Sequence, residues 1–189
     1  MNQTRRPVRS AILSCGVVLT ALAWTVPRPV DAASAAELNR DSSAALSTLY
    51  ARQKSAKVLS AKAKGILVFP AMVKAGFMFG GQVGEGVLRK NGKVTGYYNS
   101  VAASYGFQAG VQKFGYALFF MSDDALRQLN ATQGFEVGIG PSLVIVDEGK
   151  GKSITSNTIT SDVYAFIFDQ KGLMAGAGIQ GSKITKISK

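Results

Sequence analysis

The chain has 189 residues, with 22 basic and 11 acidic side chains, one cysteine and no histidine. The absence of histidine excludes Ser-His-Asp and Cys-His nucleophile systems and imidazole sites for zinc, copper or iron. A hydrophobic fraction of 47% is typical of a globular chain with its own core. The net charge of +11 predicts an anionic partner, such as nucleic acid, an acidic surface or anionic lipid.

Residues 1–32 have the pattern of a secretory signal peptide. Three arginines within residues 5–9 precede an apolar stretch at residues 11–24, and small residues follow as far as Ala32. We therefore expect export to the periplasm or cell envelope with cleavage near Ala32, which leaves residues 33–189 as a single domain. An uncleaved membrane anchor is the alternative, although the apolar stretch is marginal in length for a membrane span.

Cys15 raises the question of a lipidated N-terminus. Ile12-Leu13-Ser14-Cys15 approximates a lipobox, but a lipobox cysteine normally ends the apolar stretch, and this one lies early in it. We therefore interpret Cys15 as a small apolar residue of the signal and keep a lipoprotein as the less favoured alternative. Cleavage near Ala32 would leave a mature chain without a thiol, and so without a disulfide.

The first part of the mature chain has a helical pattern, because residues 33–64 contain no glycine. Ser34 and Glu37 have the spacing of a capping box. A second short helix is predicted to begin at Ser55, so that residues 34–63 are expected to be helical. The apolar residues of the first helix recur at helical intervals and are Leu38, Ala45, Leu46, Leu49 and Tyr50.

Residues 65–189 are predicted to be rich in β-structure. Asn91-Gly92 is the strongest hairpin signal. Ser122 is expected to cap one interrupting helix, and residues 148–161 are predicted to form a long loop. These patterns predict an α+β fold in which N-terminal helices pack on a strongly coiled, mostly antiparallel β-sheet or small barrel. Further strands are predicted at residues 65–70, 116–121, 143–146 and 163–168.

A pattern of glycine, large apolar residue, two further residues and glycine occurs four times. If each copy lies on one strand, both glycines leave the same face bare. Two interpretations stay open: curvature of the sheet, or a groove that faces a ligand or lipid. The candidate groove residues are Gly76, Gly80, Gly106 and Gly110, and the other two pairs are Gly134 with Gly138 and Gly172 with Gly176.

The sequence supports no catalytic centre. Gly151-Lys152-Ser153 is similar to the end of a phosphate-binding loop, but Val146 stands where the first glycine of that loop would be. The adjacent acidic pairs are explained by a helix start and a strand end, and no nucleophile elbow is found. We therefore expect a protein that is not an enzyme and that holds no metal or cofactor.

The basic residues are unevenly distributed. Residues 42–84 contain no acidic side chain, and basic residues alternate there with apolar ones, as in an amphipathic helix on a membrane surface. At about 1 kcal/mol per basic residue near an anionic bilayer, such a set gives reversible, salt-sensitive attachment. A solvated face that keeps the protein soluble is the alternative. The candidate lipid head-group contacts are Arg52, Lys54, Lys57, Lys62, Lys64 and Lys74.

Ordered blocks of the chain resemble the SYLF domain family, over about residues 40–189. Eukaryotic members bind phosphoinositides and lie at membranes with cortical actin, and bacterial members resemble exported or envelope-associated lipid-binding proteins. The resemblance implies lipid binding through the basic N-terminal region and carries over no catalytic residues. The blocks are Ser55-Ala56-Lys57, Ala61-Lys62-Ala63-Lys64-Gly65-Ile66-Leu67-Val68-Phe69-Pro70, Lys74-Ala75-Gly76-Phe77, Gly80-Gly81-Gln82-Val83-Gly84-Glu85-Gly86, Ser161-Asp162-Val163-Tyr164-Ala165 and Lys171-Gly172-Leu173-Met174-Ala175-Gly176.

The sequence therefore predicts a non-enzymatic, membrane-associating lipid-binding protein of the cell envelope. Its expected partner is an anionic phospholipid or membrane surface, and export makes nucleic acid an unsuitable one. An exported bacterial protein would meet phosphatidylglycerol, cardiolipin or lipopolysaccharide rather than phosphoinositides. The alternative function is a structural or protein-interaction module of the periplasm that binds an acidic protein.

Overall fold

The structure is a computed structural model. The chain divides into two units, Met1–Asp31 and Ala32–Lys189. The proposed signal peptide, Cys15 and Gly106 lie outside the described residues, as does most of the loop predicted at residues 148–161. The structure describes residues 33–77, 79–105, 110–131, 134–137, 140–146, 159–172 and 181–189.

The helices begin where the sequence predicts them. The Ser34 hydroxyl accepts a hydrogen bond from the Glu37 backbone N–H, and the Glu37 carboxylate accepts one from the Ser34 N–H, which confirms the capping box. The Ser122 hydroxyl caps the third helix in the same way, by accepting from the Ala125 N–H at 3.2 Å. The described helices are α1 (Ala35–Arg52), α2 (Lys54–Ser60) and α3 (Asp123–Leu129).

The described strands form one eight-stranded sheet in the order β5-β8-β3-β2-β1-β4-β7-β6. All neighbours are antiparallel except β6 and β7, which are parallel. The strands are β1 (Gly65–Phe77), β2 (Phe79–Lys90), β3 (Lys93–Tyr105), β4 (Gly110–Phe120), β5 (Phe135–Glu136), β6 (Leu143–Val146), β7 (Val163–Gly172) and β8 (Lys183–Ile187).

The sheet curls strongly, so that its concave inner face encloses one hydrophobic cluster. The Phe120 ring of β4 meets the Phe135 ring of β5 at 5.7 Å, although these strands are far apart in the strand order. The Tyr98 hydroxyl of β3 donates to Oδ1 of Asn130, just after α3, at 2.6 Å. The result is a half-barrel with N-terminal helices, which confirms the predicted α+β fold class.

The convex outer face carries the second hydrophobic cluster. Leu46, Leu49 and Leu59 of the two N-terminal helices pack there against the Phe119 and Phe166 rings of the sheet. Because β4 is buried on both faces from residue 114 to 120, its sequence is a continuous apolar run rather than an alternating one.

A bulge in β1 changes which face each later residue occupies. The pairing of β1 with both neighbouring strands shifts by one residue around Pro70, between Val68 and Met72. One extra residue reverses the alternation of faces, because side chains in a strand have a period of two. Lys74 consequently shares the inner face with Met72, whereas an unbroken strand would place it on the outer face with Val68.

Large side chains of neighbouring strands pack directly on three glycines. A Cβ atom on Gly86 would lie 2.6 Å from the Phe69 ring, and one on Gly115 would lie closer than 3 Å to the Phe168 ring. A Cβ atom on Gly84 would overlap the Met72 sulfur. Close approach of side chain to backbone at these positions permits the coiling of the sheet.

The strand predictions are correct where runs of apolar residues are compact and incomplete elsewhere. The Asn91-Gly92 hairpin is confirmed, with φ angles of 50° and 76° that suit its turn. The run at residues 65–70 continues as far as Phe77. Most of β2 and all of β8 were not predicted, because glycines, lysines and threonines interrupt their hydrophobic pattern.

Gly115→Ala should destabilise the protein by about 1–3 kcal/mol, because the new methyl group would displace the Phe168 ring. Gly81→Ala is the matched control, since its Cβ would meet only the Ala102 carbonyl oxygen at an ordinary 3.5 Å. Urea unfolding of the two variants measures the difference. Equal stability of both variants would contradict the role assigned to the ring contact.

Asp162 joins the starts of three elements. Its carboxylate accepts hydrogen bonds from the Ser122 hydroxyl at 3.0 Å and from the Ser142 hydroxyl and N–H at 2.9 and 3.2 Å. The Ser142 hydroxyl, followed by the Ser122 hydroxyl, holds the pKa of Asp162 below its usual value. These bonds tie the beginnings of α3, β6 and β7 together.

The contribution of Asp162 to stability should therefore depend on pH. A carboxyl whose pKa is lowered by folding stabilises the protein above its unfolded pKa of about 3.9, and this stabilisation disappears as the pH falls through the folded pKa. Asp162→Asn should be less stable than wild type at pH 7, and the gap should narrow below about pH 4. Thermal unfolding of both proteins across this pH range tests the prediction. A stability difference between wild type and Asp162→Asn that stays constant with pH would contradict it. Ser142→Ala should reproduce part of the effect.

Candidate functional site

Five of the predicted head-group residues lie together on one exposed segment. Arg52 ends α1, Lys54 and Lys57 lie on α2, and Lys62 and Lys64 lie in the turn that leads into β1. All five side chains are exposed. We call these five residues the basic segment.

The packing of α2 orients the cations of the basic segment. Its buried residues are Ser55, Ala56 and Leu59, and Leu59 is fully buried against the outer face of the sheet. With one side of so short a helix occupied, Lys54 and Lys57 project into solvent. The cations are therefore presented outward by the apolar contacts beneath them.

Ion pairs neutralise part of the positive charge of the basic segment. Arg52 pairs with Asp169 of β7, and the Lys64 ammonium lies 3.8 Å from the Asp123 carboxylate. Within the described residues, neither Lys54 nor Lys57 has an ion-pair partner. Exposed pairs of this kind contribute little to stability, so a stronger anion can replace the carboxylates.

Lys74 is separate from the other five predicted residues. It lies on the inner face of β1, where it is only 6% exposed and has an interaction partner. In the sheet register it stands between Gln82 of β2 and Gln112 of β4. The structure thus places one of the six cations inside the half-barrel instead of on the helical surface.

The neighbours of Lys74 form a buried polar layer. The Gln82 amide donates to the Ser182 hydroxyl at 2.9 Å, and the Gln112 amide donates to Oε1 of Gln170 at 3.3 Å. Gln82, Gln112 and Ser182 are each at most 3% exposed. Sequence patterns do not reveal this layer, because its members come from four strands and a turn far apart in the chain.

The candidate groove glycines have a different arrangement from the expected one. The chain reverses between Gly76 and Gly80, which face each other across β1 and β2, and Gly110 pairs with Gly76 from the other side. The three glycines therefore form one row across three strands, and the expectation that Gly76 and Gly80 lie on a single strand is wrong. Gly110 has a φ of 138°, which an alanine would adopt only with strain.

Two surface clefts adjoin the basic segment. One, of about 400 Å³, lies between α1, α2 and the β2–β3 hairpin and includes Tyr50 and Arg89. The Arg89 guanidinium donates there to the Ser43 hydroxyl at 2.6 Å and to the Asn39 carbonyl at 3.0 Å, so its charge already serves to hold α1. The other cleft, of about 370 Å³, has Lys62 at its edge beside Asp162.

The described part of the chain has no helix that is both long and apolar enough to cross a membrane. It also has no group of three acidic or cysteine side chains placed to hold a metal ion.

The sheet has an exposed apolar area that the sequence did not predict. Val83, Val101 and Val111 are 54%, 48% and 55% exposed and lie on the outer face, beyond the part that the helices cover. Valines at alternating positions of a strand ordinarily indicate a buried face. The sequence pattern could therefore identify these valines as strand residues but could not show that they are exposed.

One family model matches the chain. Its description is Ysc84: Las17-binding protein actin regulator, and the match covers residues 101–189, from the end of β3 to β8. The basic segment lies outside this match. No curated protein matches the chain. The family match confirms the resemblance identified in the sequence: residues 101–189 match the model of the Ysc84, or SYLF, domain family.

Proposed function

We propose that this protein is a non-enzymatic lipid-binding protein of the cell envelope that attaches to anionic membranes through its basic segment. The observation that carries the proposal is the exposure of five cations within residues 52–64, on a layer whose opposite side is packed against the sheet. The match of residues 101–189 to a lipid-binding family supports the lipid as ligand.

The chemistry of the segment suits lipid phosphates. Lysine ammonium groups on flexible stems contact phosphate oxygens as point charges and need no fixed geometry. Lys54 and Lys57 have no carboxylate partner in the described structure, so a lipid phosphate can bind their ammonium groups without displacing another anion. Attachment of this kind is reversible and weakens as salt rises.

The proposed location is the periplasm or cell envelope. The arginine-rich start and apolar stretch of residues 1–24 support export. The domain that cleavage after Ala32 would leave starts with a capped helix, because Ser34 caps α1, and the Lys189 ammonium donates to the Ala33 carbonyl at 2.7 Å.

The protein isolated from its cell envelope should therefore begin near Ala33 and carry no thiol, because the chain has a single cysteine, at position 15. Intact mass and thiol titration measure both properties. A mass that retains Met1 would contradict cleavage, and a diacylated Cys15 would establish the lipoprotein alternative.

Lipid binding is tested with the double variant Lys54→Glu, Lys57→Glu. The purified protein should co-sediment with vesicles of phosphatidylcholine and phosphatidylglycerol, and not with vesicles of phosphatidylcholine alone. Loss of two cations near an anionic surface lowers the affinity by about 30-fold, and reversal of their charge lowers it further. Circular dichroism should show an unchanged fold, because both side chains are exposed.

The matched control is Lys93→Glu, Lys186→Glu on β3 and β8, which changes the net charge equally and alters exposed residues that belong to neither the basic segment nor the sheet surface beside it. Lys189 is unsuitable as a control, because its ammonium pairs with Glu85 at 2.9 Å and its side chain is only 10% exposed. An equal loss of binding in both variants would show that net charge alone drives attachment. A protein that binds no vesicles would favour the alternative function, an interaction module for an acidic protein.

A further inference from the structure

One row of side chains crosses six neighbouring strands on the outer face of the sheet. The apolar centre of the row belongs to β3, β2 and β1, and each end carries lysine. We call it the valine row. In strand order from β8 to β7 it consists of Lys183, Val101, Val83, Val73, Lys113 and Lys171.

The centre of the valine row is open to solvent. Val83 and Val101 are about half exposed, and the adjacent row contributes Val111, which is 55% exposed. Small residues, Ala75 and Gly81, fill the space beside them. Single exposed valines are ordinary, but contiguous ones on neighbouring strands mark a surface that contacts something apolar.

The helices leave this part of the sheet uncovered. They pack on the outer-face cluster that contains Val68, and the bulge at Pro70 separates this residue from Val73. At the rise per residue of a β-strand, Val68 and Val73 are about 15 Å apart along β1. The basic segment and the valine row therefore occupy two parts of one face of the sheet.

The charge around the valine row is positive. Within the described residues, Lys113 and Lys171 have no ion-pair partner, and they are neighbours on β4 and β7. Lys183 has Glu136 opposite it on β5. Glu85, two residues along β2 from Val83, is paired with Lys189. The balance favours an anionic occupant.

We propose that the valine row is a second membrane-contact surface, in which the valines enter the head-group boundary of an anionic bilayer and the lysines at both ends contact phosphates. This inference rests on the proposed lipid-binding function and adds an apolar contact that the basic segment lacks. Lysine stems can lie along apolar surface while the ammonium stays at the head groups, as this placement requires.

A second copy of the chain is a poorer occupant. The three lysines of the row outnumber the one carboxylate beside it, Glu136, so two aligned rows leave uncompensated positive charge at their interface. Like charges at an interface oppose association. A bilayer with anionic lipid supplies the apolar layer and the negative charge together.

The first test uses single-cysteine probes in the full chain with Cys15→Ser. An environment-sensitive dye at Val83→Cys should shift to the blue on addition of phosphatidylglycerol vesicles, since the site enters the bilayer boundary. The control probe is Gln128→Cys, which is exposed on α3, the helix that packs on the opposite, inner face of the sheet. Its spectrum should stay unchanged.

The second test is the triple variant Val83→Thr, Val101→Thr, Val111→Thr. Threonine keeps the β-branched shape, so the strands are retained while the apolar contact is lost. At about 1 M salt, where charges are screened beyond about 3 Å, wild type should keep residual vesicle binding that the triple variant lacks. At low salt the triple variant should bind about tenfold more weakly than wild type.

Each outcome separates the two proposals. Binding to vesicles with no shift of the Val83 probe and no loss in the triple variant would overturn the valine-row contact and leave the proposed function intact. Absence of vesicle binding in wild type would overturn both. A shift of the Val83 probe that grows with protein concentration without vesicles would show self-association instead and overturn the membrane contact.

Discussion

The fold depends on side chains that pack directly against glycine Cα atoms. Phe69 covers Gly86 from the neighbouring strand, stacks on the Tyr116 ring at 5.7 Å and thereby links β2, β1 and β4 on the inner face. Phe168 covers Gly115 in the same way on the outer face. A single methyl group at either glycine would hold the strands apart, and the sheet would not coil to this degree.

The coiling allows one sheet to bury both of its faces. Its inner face closes on itself with the help of α3, so no second sheet is needed, and the outer face is left for α1 and α2. The two N-terminal helices are too short to cover all of it. The outer face is therefore divided into two parts, because the helices are smaller than the face. One part is covered by the helices and carries the cations above it, and the other is uncovered and carries the valines.

The two proposed contact surfaces differ in their physics. The basic segment acts through charge and is screened by salt, whereas the valine row acts through removal of apolar area from water. Each alone gives weak attachment, as single signals for membrane binding generally do. Together they would make binding selective for membranes that are anionic and also loosely enough packed to admit side chains.

The polar layer inside the half-barrel has a structural consequence. Burial of an ammonium group is costly unless polar partners surround it. Lys74 lies between Gln82 and Gln112, whose amides are held in turn by Ser182 and Gln170. The layer fixes the register of the strands at this end of the sheet, because a slip of one residue would expose the amides and bury the valines.

The sequence by itself determined the features that depend on local hydrogen bonds. Ser34 and Ser122 cap helices, and Asn91-Gly92 turns a hairpin, because each interaction involves residues within three or four positions. The blocks that resemble the SYLF family also identified the class of protein, which the match over residues 101–189 confirms.

Only the tertiary structure decided which of the similar residues face water. Lys57 and Lys74 lie in the same basic stretch, but the bulge at Pro70 turns Lys74 to the inner face. Val83 has the pattern of a core residue and is exposed because the helices end short of it. Burial in a sheet depends on the pairing of distant strands and on what lies above each face, and neither is encoded in the local sequence.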